Sequence, residues 1–138
     1  MPTDYQPFSE VVAQGQDLGV TIAADDSFAL EPARFTGKIT GVTYTPEAAS
    51  TGDNTNKRVY TLVNKGASGS GTTVIATLDL VTGVNLVAFD EKAATLTVTA
   101  ADLLVTKGGV LAWVSTHAAS GLVDPGGTIK VLGNRAQS

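Results

Sequence analysis

His117 is the single imidazole in the chain, and Ser115, Ser120 and Asp124 stand close to it in sequence. An imidazole changes charge near neutral pH and can move protons for a nucleophile, provided a carboxylate orients it. The strained Gly-x-Ser-x-Gly elbow that would expose a serine nucleophile is absent. His117 therefore reads as a loop or interface histidine, and no catalytic residue is assigned. Asp53-Asn54-Thr55-Asn56 resembles the start of a calcium loop, but Arg58 stands where that loop needs its glycine and no glutamate closes it. No metal ligand is assigned. The glycine-rich stretch Gly66–Gly71 lacks the Gly-Lys-Ser/Thr ending that cradles a phosphate, so it is read as a hairpin tip and no cofactor is expected. The lone Trp113, flanked by Leu111, Ala112 and Val114, is read as a core anchor; exposed, it would be a platform for a sugar ring.

Composition narrows the classes further. The net charge is −4 and the pI about 4.7, with acids and bases scattered along the chain. Nucleic acid needs clustered Lys and Arg, and an anionic membrane surface needs positive charge, so neither is an expected partner. No apolar run reaches the ~18 residues of a membrane span. The start, Met1–Pro7, lacks a basic, then apolar signal segment. The chain has no cysteine, so disulfides and thiol chemistry play no part. Charged residues make up only 16% of it, which suits strands packed on strands and a surface partly covered by partners.

The elements that would position these residues are short strands. Residues 1–18 read as an extended arm with one edge strand near Glu10–Ala13, and 19–138 as a single domain. Strands are expected at Gly19–Ala24, Ser27–Leu30, Arg34–Tyr44, Lys57–Lys65, Thr72–Leu78, Gly83–Phe89 and Thr95–Val98, from alternation bounded by Gly, Pro, Asn and Asp. Gly37 and Gly41 in the third of these predict a bulge or a close backbone approach. Glu47–Asn56 is a polar loop. Thr99–Val105 is read as a turn, with Thr99 as its candidate cap and Asp102 three residues on. Gly108–His117 and Thr128–Leu132 read as the two strands of a hairpin, with Asp124-Pro125-Gly126-Gly127 as its turn. The architecture is all-β, a β-sandwich or jelly roll, anchored by Trp113, Phe35, Tyr60 and Phe89.

From Asn54 onward the chain also resembles a family of small virion proteins of tailed actinobacterial phages. The resembling pieces, in order, are Asn54–Arg58, Thr61–Ala67, Gly69–Val74, Gly83–Asn85, Phe89-Asp90-Glu91-Lys92, Val114–Thr116 and Gly121–Gly127. Where the family tends to have Gly-Asp before the Trp strand, this chain has Gly108-Gly109, so no functional residue carries over there. The resemblance implies a capsid decoration (cement) protein: a β-rich homotrimer on the outer surface of the phage head, bound to the major capsid protein, with no enzymatic activity. Shell contacts are then expected in the arm, at Tyr5, Phe8, Val11 and Val12, and around the polar loop, at Asn54, Lys57 and Arg58. The alternative is a tail-fibre or host-recognition module that binds glycans through an exposed aromatic.

Overall fold

The computed structural model describes residues 4–137. The first three residues of the expected arm, and Ser138 at the end of the expected domain, lie outside them. Ten strands follow in order: β1 (Glu10–Asp17), β2 (Asp26–Ala29), β3 (Gly37–Pro46), β4 (Lys57–Gly66), β5 (Thr73–Asp79), β6 (Lys92–Ala93), β7 (Thr95–Leu96), β8 (Leu104–Val105), β9 (Val110–Ala118) and β10 (Gly127–Arg135). A short 3-10 helix, Ala100–Leu103, precedes β8. One sheet runs β1-β10-β3-β6, with β8 also on β3; the other runs β2-β9-β4-β5-β7. All these pairings are antiparallel. The fold is a β-sandwich.

The long strands form because their side chains alternate. Along β3, Ile39 and then Val42 and Tyr44 turn inward; along β4, Arg58, Tyr60 and Leu62 do. The step from Ile39 to Val42 breaks the period of two because Thr40 is an extra residue opposite Leu132–Gly133. That is the bulge foreshadowed by the glycines, and at Gly37 a Cβ would collide with the Asn134 carbonyl oxygen. The two inner faces meet over a stack of Tyr44, Tyr60 and Trp113, with ring centroids 5.0 to 5.3 Å apart. Trp113 and Tyr60 are fully buried, and Phe35 is buried beneath the Arg135 guanidinium, 4.5 Å from its ring.

Several expectations are corrected. Gly108–Leu132 is not a hairpin: β9 lies in one sheet and β10 in the other, so the connection between them arches across the core. Within the segment read as an arm, the edge strand expected near Glu10–Ala13 runs on to Asp17. β1 pairs with β10 through Glu10–Asp17, and its other edge is covered at Val12 and Gln14, whose carbonyls accept Arg34 and Glu31 N–H at 2.8 and 3.1 Å. Gly19–Ala24 and Gly83–Phe89 form turns with single bridges, Val20 to Asp124 and Ser50 to Leu86. Thr99 contributes no side-chain cap to the 3-10 turn; the backbone closes it, Asp102 N–H to Thr99 carbonyl at 3.0 Å.

Phe89 is the clearest failure of the core reading. It is 78% exposed and sits at φ 59°, in the left-handed region. Its N–H is fixed to the Pro46 carbonyl at 2.8 Å, so the tight turn there faces the ring outward.

Candidate functional site

The polar side chains that the fold gathers lie inside the sandwich, at the end where both sheets and two loops converge. Alternation along β4 sends Arg58 and Tyr60 inward, and the β4–β9 register sets Ser115 opposite Tyr60. Tyr44 comes from β3 and Asp17 from the last position of β1. Asp124 comes from the arch between β9 and β10. Asp17, Asp124, Ser115 and Arg58 are each no more than 2% exposed.

The two carboxyls enter on matching turns, Asp17-Leu18-Gly19 and Asp124-Pro125-Gly126. In each, an Asp Oδ1 accepts the N–H of the glycine two residues on, at 2.8 Å for Gly19 and 3.1 Å for Gly126. Both glycines adopt φ 83°. A Cβ at Gly19 would sit 2.8 Å from the Asp124 carbonyl oxygen, and one at Gly126 would sit 2.9 Å from that of Asp17. Val20 and Asp124 exchange backbone hydrogen bonds of 3.1 Å both ways, which stitch the two turns together.

Asp124 is the hub. Its Oδ1 takes Tyr44 and Tyr60 hydroxyls at 3.0 Å each, and its Oδ2 takes the Ser115 hydroxyl at 2.8 Å. Ser115 Oγ in turn accepts from Arg58 Nη1 at 3.0 Å. The rest of the guanidinium is spent on carbonyls: Leu122 at 2.7 Å from Nε, and Thr21 and Ile22 at 3.1 and 3.2 Å from Nη2. Arg58 thus reaches Asp124 through a serine and touches neither carboxyl directly. Burial, and then the adjoining Asp124, push the Asp17 carboxyl up to about 8. Burial likewise raises both tyrosines, so their phenols stay protonated and serve as donors.

Of the residues singled out for chemistry, Ser115 and Asp124 come together and His117 stands apart from them. Ser115 serves Asp124, whereas His117 Nδ1 pairs with Asp25 Oδ1 at 2.6 Å on the surface. The same Asp25 oxygen accepts the His117 N–H at 2.8 Å, and His117 holds the Asp25 carboxyl below its ordinary value. In the loop that begins like a calcium site, Asp53 Oδ1 accepts Thr55 and Asn56 N–H at 2.7 Å each. Asn54 and Asn56 accept the N–H groups of Thr82 and Ser120, both at 3.0 Å. These side chains stitch loops together.

Of the expected partner contacts, Phe8 and Asn54 are exposed, while Tyr5 and Val11 are half-buried. Lys57 is half-buried and paired with Asp79 at 3.0 Å. Val12 and Arg58 are fully buried, which removes both from any contact surface: Val12 faces the core from β1, and Arg58 holds the seam. The paired Asp-x-Gly triplets were the available signal for this site; Asp124-Pro125-Gly126, read as turn chemistry alone, conceals that its carboxyl points inward, and Asp17-Leu18-Gly19 was not singled out. Compared with protein-family models, curated proteins and solved structures, the chain matches none.

Proposed function

We propose that this chain is a structural virion protein, a decoration (cement) protein that binds the outside of a tailed-phage head as a homotrimer on the major capsid protein. The reading rests on the order and spacing of the resembling pieces between Asn54 and Gly127. The observation that carries it is Phe89. One of those pieces, Phe89-Asp90-Glu91-Lys92, sets this ring outward on a turn held in a strained backbone conformation, with Val87 beside it 56% exposed. A strained backbone that exposes an apolar ring is retained where the ring has a use. The rigid sandwich beneath gives such a contact a fixed direction.

Cementing acts by mass action, because a protein that binds only the assembled shell stabilises it, and many copies multiply a modest contact. Heads stripped of the protein, mixed with it and sedimented, should carry hundreds of copies and resist heating better than bare heads. Phe89→Asp should lower occupancy by an order of magnitude or more while leaving the protein's own melting temperature unchanged. Wild-type protein that stays in the supernatant ends this reading. Trp113, fully buried, offers no platform to a sugar ring, so a glycan-binding module would have to use an exposed ring such as Phe89.

A further inference from the structure

Proton counting at the seam gives a result that no surface contact requires. Tyr44 Oη lies 3.0 Å from Asp124 Oδ1 and 3.3 Å from Asp17 Oδ2, and a phenol has one proton. Asp124 already collects the Tyr60 and Ser115 hydroxyls and the Gly126 N–H, as an acceptor throughout. If Tyr44 donates to Asp124, its contact with Asp17 is a hydrogen bond only when Asp17 brings the proton. Without that proton, two buried carboxylates lie together with one buried cation, which reaches only Asp124, through Ser115.

We propose that Asp17 is held as the neutral acid, and that its proton latches the Asp17–Val20 turn to the Asp124–Gly126 turn, so that losing it opens this end of the sandwich. The groups facing Asp17 are Tyr44 from β3, Tyr60 from β4 and Asp124 from the arch, while Arg58 of β4 reaches Asp124 through Ser115 of β9. Glu47 meets the seam only through its backbone N–H, which donates to the Gly126 carbonyl at 2.9 Å. No charge among these is placed to pair with an ionised Asp17. Burial and Asp124 hold its proton up to about 8, so the latch is closed in mild acid and loosens through neutrality. On opening, the Val20 and Asp124 backbone hydrogen bonds part, and Leu18, Ile22 and Val123, already exposed, move with their loops.

Amide hydrogen exchange across pH 5 to 8, expressed as protection over the unstructured rate, tests this in the intact protein. Protection at Val20 and Asp124 should fall with rising pH, by up to about tenfold per unit. Leu62, in the middle of β4, should remain protected throughout. Asp17→Asn, a neutral mimic of the acid, should keep Val20 and Asp124 protected across the whole range. Flat protection in the wild type, or the same loss in Asp17→Asn, overturns the proposal. Should that variant not fold, the carboxyl carbon resonance of Asp17 in the wild type decides: a titration in the ordinary aspartate range overturns the latch, and one near or above neutrality supports it.

Discussion

Removing the Arg58 guanidinium would strand four acceptors at once: the Ser115 hydroxyl and the carbonyls of Leu122, Thr21 and Ile22. It would also leave Asp124 without the cation that its serine relays. Breaking a buried charged network from one side costs about 3–5 kcal/mol. Arg58→Ala should therefore lower unfolding free energy by that amount in a denaturant titration. Arg58→Lys should recover little of it, because one ammonium cannot serve a fork spread over four groups. In sequence, Lys57 and Arg58 stand together as expected partner contacts beside the polar loop. The burial of Arg58 follows from register: one position along β4 separates Lys57, paired outside with Asp79, from Arg58, which faces the core. Phe89 is the converse case. An aromatic at the end of an alternating run reads as core, yet the backbone turns at that residue and the ring faces water.

At the scale of elements, the two Asp-x-Gly turns are the joint between the sheets, and their glycines are irreplaceable for two separate reasons. The backbone is left-handed at both, and a side chain at either would press on the opposite turn. Gly19→Ala and Gly126→Ala should each destabilise by about 1–3 kcal/mol, strain and collision together. Gly69 has φ 79° but only open space around it, so Gly69→Ala should cost about 1 kcal/mol or less. Thermal melts of the three variants side by side check the ranking. The strands themselves were largely legible. β2, β3, β4 and β5 lie close to where alternation puts them, and the edge strand expected near Glu10–Ala13 is β1, extended to Asp17. What misled was adjacency. Two runs joined by a turn-rich stretch read as a hairpin, but β9 and β10 find their partners in β4 and β3.

For the whole molecule, the buried acid sets the pH dependence of stability. Asp17 in the folded chain keeps its proton up to about 8, whereas in the unfolded chain it loses it near the ordinary aspartate value of 3.8. Between those values the folded state binds more protons, so stability falls as pH rises, by up to about 1.4 kcal/mol per unit, and levels off above the upper value. Denaturant midpoints from pH 4 to 9 should show this decline, and Asp17→Asn should remove it. A midpoint rising from pH 5 to 8 would contradict the assignment. Sequence alone determined the all-β class and the burial of Trp113, Tyr60 and Phe35, because alternation and turn residues act over a few neighbouring positions. Tertiary structure decided that β9 and β10 belong to opposite sheets, that β1 is part of one of them, and that Asp17, Asp124 and Arg58 meet inside. Asp17 and Asp124 are more than a hundred residues apart, and only the closing of one sheet over the other makes their charges neighbours. Desolvation and proton sharing therefore begin only when the sandwich is complete.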